Sequence, residues 1–405
     1  MGFVLSPLLL DKTNYMKNMK KLSILALLFS ALSLCAQEAT VYDGADGSAF
    51  PWLPSNSTGQ INANGGDCVY ENYNQANGNP IVASHESDPW FIRNDGSNGG
   101  SLSFRNCYID LMTNGKGTIF NNSSGDFELN FDSTEILMGS SNGSFTMAWN
   151  DRSSNFKVNF TNGSKAGVSP STGRFTVNSY ASYNNLGFLS GSAEINISGT
   201  SSATTEIGFW DVNLYSSTDS ASTYKNAINI SGYSNVAIHN TNIGTSAAAG
   251  STTSTLKIEG GNCEVKIDGN LNIAGSSLGT SAEKPVGGIL EFVADDYGVS
   301  TLDVAKVSDF SGVLSLDFSS IKLEAEQLYE FVLISATSDW TEIGNELLSS
   351  DRVLMKTANA ADEWELYMAG NMLVLNYTAA VPEPSAIALV FGLFAFAFAA
   401  FRGRR

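Results

Sequence analysis

The sequence predicts an all-β protein, a right-handed parallel β-helix with a β-rich C-terminal cap and a single C-terminal transmembrane helix. Apolar and polar residues alternate in many short segments of its middle part, which is the pattern of strands with one buried face. Clusters of Asn, Gly and Ser separate these segments and act as turn signals. The segments restart roughly every 18 to 20 residues, some at about half that interval, as expected for coils that bury their inner faces by stacking.

The strand signals of the middle part are apolar residues at every second position. They are Phe127-Leu129-Phe131, Phe145-Met147-Trp149, Phe156-Val158-Phe160, Phe175-Val177, Ile195-Ile197, Ile228-Ile230, Val236-Ile238, Leu256-Ile258, Val265-Ile267 and Leu271-Ile273. The Asn-rich turns between them are expected to form side-chain ladders from coil to coil. An antiparallel β-sandwich remains the alternative, because Asn-Gly turns also close hairpins.

The C-terminal end of the chain combines a short motif, an apolar stretch and a basic terminus. The motif is Val381-Pro382-Glu383-Pro384-Ser385, and the basic terminus contains Arg402, Arg404 and Arg405. A helix over the uncharged stretch 385–401 would be about 25 Å long, which is the low end for a membrane span. The prolines fit an extended entry to that helix, and the arginines predict a cytoplasmic end.

This tail resembles the PEP-CTERM sorting signal of Gram-negative bacteria, which has a V-P-E-P motif, one transmembrane helix and a short Arg-rich end. The resemblance implies recognition by an exosortase and processing near the motif, so Val381–Ser385 would be a sorting sequence and not a catalytic one. The stretch from Trp364 to Tyr377 is similar to the closing hairpin of autotransporter-like PEP-CTERM proteins. That similarity implies a β-helical passenger, and a hairpin there would cover the exposed end of the β-helix.

The N-terminal region has the features of a secretory signal peptide. Lys17, Lys20 and Lys21 precede an apolar run over 22–29, and small residues follow. Cleavage is expected after Cys35 or Ala36, and a lipoprotein at Cys35 is the less favoured alternative. Residues 1–15 do not fit a signal peptide, so translation is expected to start at Met16 or Met19.

These signals divide the chain into six segments. They are a stretch upstream of the expected translation start (1–15), a signal peptide (16–36), an N-terminal cap or loop region (37–100), β-helix-like repeats (101–286), a C-terminal β-rich portion (287–379) and the sorting tail (381–405).

The exported body is strongly acidic. Without the four lysines and one aspartate of residues 1–36 and the three terminal arginines, 15 basic and 39 acidic residues remain, a net charge of −24. Such a surface repels nucleic acid and anionic lipid, so no nucleic-acid partner is expected. Cys68, Cys107 and Cys263 allow one disulfide and one free thiol at most, and small buried side chains are an equally good interpretation.

Few residues suggest chemistry, and no catalytic residue is predicted. His239 has an outward phase in its strand and is interpreted as a surface side chain. His85 lies beside Glu86 and Asp88 in a polar loop, where a metal or acid–base role is the less favoured interpretation. Asp43 and Asp46 are spaced among glycines as in calcium loops, but further oxygen ligands are missing, so calcium is a weak candidate and no cofactor is predicted.

Two functional classes remain. The favoured one is an exported cell-surface or extracellular-matrix protein with a structural or adhesive role, held transiently in the membrane by its C-terminal helix. Its expected partners are an exosortase, the secretion machinery and an extracellular polysaccharide. The alternative is an extracellular polysaccharide-active enzyme, a lyase or glycosidase, which is disfavoured because Lys and Arg are sparse and scattered.

Overall fold

The computed structural model of the chain describes residues 39–51, 61–62, 66–82, 90–94, 99–111, 118–121, 125–139, 145–149, 155–168, 173–179, 191–215, 223–244, 251–276, 280–283 and 285–381. The chain divides into two units, Met1–Thr40 and Val41–Arg405, and the second contains the architecture described below.

The described residues form 27 strands and one helix. The strands are β1 Thr40–Asp43, β2 Ile61–Asn62, β3 Asp67–Glu71, β4 Ile81–Val82, β5 Trp90–Asn94, β6 Gly100–Arg105, β7 Tyr108–Leu111, β8 Thr118–Asn121, β9 Phe127–Asp132, β10 Glu135–Met138, β11 Phe145–Trp149, β12 Asn155–Thr161, β13 Lys165–Ala166, β14 Phe175–Ser179, β15 Ser192–Gly199, β16 Thr205–Leu214, β17 Lys225–Gly232, β18 Ser234–Gly244, β19 Thr253–Glu259, β20 Glu264–Ala274, β21 Gly287–Val293, β22 Leu302–Phe310, β23 Val313–Phe318, β24 Leu328–Ala336, β25 Val353–Thr357, β26 Glu363–Ala369 and β27 Met372–Thr378. The helix, α1, is Thr341–Leu348 and lies between β24 and β25.

The protein is a parallel β-helix, as the sequence predicts. An eleven-stranded sheet, sheet A, has the order β1-β3-β6-β9-β12-β15-β17-β19-β21-β23-β25, and a sixteen-stranded sheet, sheet B, contains the remaining strands. The strand pairs from β3 to β25 in sheet A are parallel, which excludes the antiparallel sandwich.

The coils are longer than the interval that the sequence pattern predicts. In sheet A, Asn159 pairs with Asn130, which lies 29 positions earlier in the chain. The extremes are 24 positions between the paired Glu291 and Ser315 and 39 between the paired Asp317 and Lys356. The predicted interval was wrong because each coil contains more than one strand, so strand restarts are closer together than coils.

Each coil contributes one strand to sheet A and one or two to sheet B. Lys165 of β13 pairs with Glu206 of β16, and Phe175 of β14 pairs with Phe209 of the same strand. Two short strands of one coil therefore align with one long, bent strand of the next. Each coil therefore has three faces, one in sheet A and two in sheet B. From β16 onward, one continuous strand forms both of the faces that belong to sheet B.

Alternating residues of sheet A fill the interior as predicted. Phe127, Leu129 and Phe131 are each at most 2% exposed. Phe131 stacks on Phe104 and Phe160 in the neighbouring coils, with ring centroids 5.4 and 5.0 Å apart. Aligned aromatic rings bury large apolar areas at favourable distances, so this column contributes strongly to the core.

A column of small polar side chains marks the corner between sheet A and sheet B. The residues that follow one another in register there are Asn79, Cys107, Thr134, Ser164, Thr205, Ser234, Cys263 and Ser300. Ser164 Oγ donates to the Phe131 carbonyl at 2.9 Å and Ser300 Oγ to the Gly260 carbonyl at 2.6 Å. These hydroxyls satisfy backbone carbonyls at a buried turn, where an unpaired carbonyl would be costly.

The three described cysteines are free thiols. Cys107 and Cys263 occupy the same corner column as the serines and threonines, and each Sγ lies 3.3 Å from a backbone carbonyl of the preceding coil. The interpretation as small buried side chains is therefore correct for these two, and Cys68 is half-buried.

Two asparagine ladders run along the outside of the β-helix, and both lie within strands, whereas the sequence predicts such ladders in the Asn-rich turns. On sheet A, Asn130 donates to Ser103 at 3.2 Å, Asn159 to Asn130 at 2.7 Å, Asn196 to Asn159 at 2.8 Å and Asn229 to Asn196 at 2.8 Å. A second ladder on sheet B joins Asn213, Asn242 and Asn272 at 2.7 Å per step. Each amide within a ladder donates to the preceding coil and accepts from the following one, so the coils are linked outside as well as inside.

An antiparallel hairpin closes the C-terminal end of sheet B. β26 pairs with β27, and β27 pairs with β24, the last strand of sheet B to continue the parallel stack. This is the hairpin expected from Trp364 to Tyr377. The parallel pairing of β19 with β21 passes across residue 286, so the stack continues into the C-terminal β-rich portion without a break.

The helix α1 was not predicted. Its apolar residues Ile343, Leu347 and Leu348 occupy one side, but eight residues give too short a pattern to identify from sequence. A Cβ on Gly344 would lie 2.4 Å from Met368 Sδ, so the glycine allows the helix to pack directly on β26.

Of the helices that the described residues form, none has the length and apolarity to cross a membrane. The predicted transmembrane stretch and the signal peptide lie outside the described residues.

Candidate functional site

Most of the sequence-predicted site residues lie outside the described residues. These are Cys35, Ala36, His85, Pro382, Glu383, Pro384, Ser385, Arg402, Arg404 and Arg405. Val381, the last of the described residues, is 56% exposed. Ala380 N donates to Asp362 Oδ1 at 2.8 Å, which fastens the chain one residue before Val381.

The weak calcium candidates Asp43 and Asp46 lie at the surface but make local hydrogen bonds. Asp43 Oδ1 accepts from Ala45 N and from Asn72 Nδ2, both at 2.9 Å. Ser48 donates its hydroxyl and its N–H to Asp46, and these bonds hold the pKa of that carboxyl below its usual range. In the described ranges, no three His, Cys, Asp or Glu side chains gather into a group that could hold a metal.

The richest group of functional side chains lies on the outer face of sheet B. Trp210, His239 and Asp268 lie in β16, β18 and β20; Asp268 comes 29 positions after His239, and Trp210 the same number before it. Their neighbours Phe209, Ile238 and Ile267 pair directly and point inward, so the three follow in register and point outward. Together with Arg174, which precedes β14, they form what we call the outer-face cluster.

Contacts along this cluster are close. The rings of Trp210 and His239 stack with centroids 4.1 Å apart and an interplanar angle of 21°. His239 Nδ1 lies 2.6 Å from Asp268 Oδ1, a hydrogen bond in which the imidazole donates to the carboxylate. Arg174 Nη1 donates to the other oxygen, Asp268 Oδ2, at 3.3 Å.

A glycine makes room for the arginine. Gly208 pairs with Ala237 in the next coil, and a Cβ on Gly208 would come 3.3 Å from Arg174 Cγ and 2.0 Å from the Gly167 carbonyl. No larger residue fits there, so Arg174 can lie across this position and reach Asp268. Its side chain is only 13% exposed, against 33% for His239 and 40% for Asp268.

An open groove of about 420 Å³ adjoins the cluster on the same face. Its outward-facing lining residues are Lys266, Asp268, Asp303, Ala305, Ser335 and Thr337, which we call the lateral groove. Lys266 pairs with Asp303, and Asp303 pairs with Ser335. Small side chains at Ala305 and Ser335 leave the space, and Asp268 belongs to both the groove and the cluster.

This arrangement is suited to binding. Two partners fix the carboxylate of Asp268, and Trp210 holds the imidazole of His239 in place, so the polar groups are preorganised. A rigid aromatic ring next to fixed donors and acceptors is the composition of many ligand sites.

The sequence interpretation of His239 as an outward side chain is confirmed, but its partners were missed. Trp210 and Asp268 carry no local motif. The signal that could have identified them is their equal spacing on either side of His239, which becomes meaningful only when the coil length is known.

Comparisons of the chain with models of known protein families, with curated proteins and with solved structures found no match.

Proposed function

We propose that this chain is an exported cell-surface or extracellular-matrix protein with a structural or adhesive role. The observation that carries the proposal is the asparagine ladder from Ser103 to Asn229. It joins five successive coils through side chains on the outer face, in addition to the backbone pairing and the apolar core. A rod stiffened in this way can display an extended polar surface outside the cell.

The two ends of the chain support export and sorting. The N-terminal basic and apolar pattern would direct secretion, and the Val381–Ser385 motif with its apolar stretch would retain the protein in the membrane until an exosortase acts on it. The body, with a net charge of −24, remains hydrated and soluble after release.

Both ends can be tested together by fractionating the native host and determining the terminal peptides by mass spectrometry. We expect a mature N-terminus just after Cys35 or Ala36 and a C-terminus that lacks the residues after the Pro-Glu-Pro motif. Recovery of Arg405 on the mature surface protein would contradict the sorting proposal, and a full-length cytosolic pool would contradict export.

The motif itself is tested by Glu383→Ala, with Glu324→Ala as the matched control because Glu324 is an exposed glutamate of the folded body. We expect Glu383→Ala to leave the folded body intact and to reduce display at the surface, while the control is displayed normally. Equal surface display of both variants would show that the motif is not needed for sorting.

The enzyme alternative has one observation in its favour, the His239–Asp268 pair beside the lateral groove. A carboxylate that orients an imidazole is a common acid–base arrangement. The alternative predicts release of reducing ends or unsaturated products from a polysaccharide, with loss of that release in His239→Ala. Digestion by the wild-type protein would replace the structural proposal with this one.

A further inference from the structure

We propose that the lateral groove and the outer-face cluster together form a binding site for an uncharged, extended polysaccharide that lies along the axis of the β-helix. The inference deepens the adhesive role proposed above and rests on it for its biological setting. Binding by the purified protein, however, does not depend on where the protein is located.

The site is elongated along the β-helix axis. Trp210, His239 and Asp268 belong to three successive coils, and Ala305 and Thr337 continue the same row in β22 and in the residue after β24. Neighbouring strands lie about 4.8 Å apart, so the five positions span about 19 Å. A site of this length and openness fits several consecutive units of a linear polymer better than one small molecule.

The backbone of this face is already engaged. The N–H and C=O groups of β16, β18, β20 and β22 point along the axis to neighbouring coils, with which they pair in parallel. A peptide that binds by adding a strand needs a free sheet edge, which the middle of a sheet does not offer. Recognition must therefore come from side chains, as it does for sugar hydroxyls.

The side chains present both kinds of contact that a sugar needs. Trp210 lies at one end of the row, where one face of its ring is stacked on His239 and the rest of the rigid ring is partly exposed. Asp268 and Asp303 accept hydrogen bonds, Lys266 donates them, and the Thr337 hydroxyl does both. Because Asp268 is held by His239 and Arg174, little conformational freedom is lost there on binding.

The charge balance favours an uncharged ligand. Arg174 and Lys266 offset Asp268 and Asp303, so the site is nearly neutral in a body with a net charge of −24. A depression on the outer face of sheet A is, by contrast, lined by four carboxylates and one lysine. A polyanionic polysaccharide would be repelled by the body, whereas a neutral one would not.

The test is affinity electrophoresis of the purified mature protein in gels that contain soluble neutral glucan, mannan or galactan, with alginate and hyaluronate as polyanionic probes. We expect retardation by at least one neutral polymer and not by the polyanions. Retardation by none of the neutral polymers, or by the polyanions alone, would overturn the proposal, and so would binding of unfolded casein peptides in place of polysaccharide.

Variants then locate the site. Trp210→Ala is expected to weaken binding about tenfold or more, as for an aromatic anchor. Ala305→Trp fills the groove without removing a hydrogen bond and is expected to weaken binding to a similar extent. Tyr297→Ala is the control, since Tyr297 is 71% exposed and lies outside the site. Circular dichroism confirms that each variant is folded.

Full binding by folded Ala305→Trp, or an equal loss in Tyr297→Ala, would overturn the proposed location. The wider proposal is judged separately. If the protein is found at the cell surface but no neutral polymer is bound, the site proposal fails and the surface role stands. If polymer is bound but the protein is cytosolic, the surface role fails.

Discussion

Asn196 donates its side-chain amide to Oδ1 of Asn159 at 2.8 Å, and the two residues lie 37 positions apart in the chain. They occupy the same outward position in β12 and β15, which pair in register. The preceding pair of the ladder, Asn130 and Asn159, lies only 29 positions apart, so the coils differ in length without disturbing the ladder. The ladder therefore tolerates long loops and depends on strand register.

Replacing Asn159 with alanine should destabilise the protein. Asn159 donates to Asn130 and to Glu128, both at 2.7 Å, and accepts from Asn196. The bonds with Asn130 and Asn196 are partly buried, and their loss should lower the free energy of unfolding by about 1–2 kcal/mol, measured by urea denaturation. Asn235→Ala, at an exposed outward position of β18, is the control and should change it by less than about 0.5 kcal/mol. Equal effects of the two variants would show that the ladder adds no stability.

The aromatic column should be more sensitive than the ladder. Phe131 is fully buried between Phe104 and Phe160, so Phe131→Ala leaves a cavity and should cost about 3–5 kcal/mol in the same measurement. Phe131→Leu should cost clearly less, because Ile197 and Ile230 occupy the equivalent position in later coils. A leucine variant as unstable as the alanine variant would mean that ring stacking, and not filled volume, dominates this column.

The core pattern could be predicted from the sequence, whereas the coil length could not. The alternation of Phe127, Leu129 and Phe131 identifies the buried face directly, because side chains of a strand alternate between faces. The interval between coils, however, depends on loops that range widely in length, and a loop has no periodic signal. Trp210 and Asp268 become neighbours of His239 only through that interval, which is why the cluster could not be located from local motifs.

The corner column makes a prediction about the thiols. Burial raises the pKa of Cys107 and of Cys263 to about 11 each. At about pH 8 only about a thousandth of such a thiol is thiolate, the reactive form. In the native protein, iodoacetamide should therefore modify the half-buried Cys68 before Cys107 and Cys263, as read by mass spectrometry of each cysteine peptide. In denaturant the three rates should converge, and early native modification of Cys263 would show that the corner opens.

The contact between Tyr377 and Asp362 predicts opposite pH dependences at the two extremes. Burial alone would raise the pKa of Asp362, but hydrogen bonds from Tyr377 and from backbone N–H groups, including that of Ala380, outweigh it and lower the pKa. The stability that Asp362 contributes is therefore present above the ordinary aspartate pKa of about 3.9, and it is lost as the pH falls through the lowered pKa of the folded protein. Burial raises the pKa of Tyr377, and the neighbouring Asp362 raises it further. The stability that Tyr377 contributes to the fold is therefore complete below about pH 10 and declines above it.

Tyr377→Phe separates this contact from ring packing, because the phenylalanine keeps the stack on Phe318, whose ring centroid lies 5.4 Å away. Urea unfolding between about pH 2 and about pH 11 should show the variant less stable than the wild type near neutrality, with the difference shrinking at both extremes. Tyr297→Phe, at an exposed position, should match the wild type throughout. A constant difference across the range would mean that the hydroxyl acts through packing alone. Because Asp362 also holds Ala380, loss of the contact at low pH should loosen the chain just after the last strand.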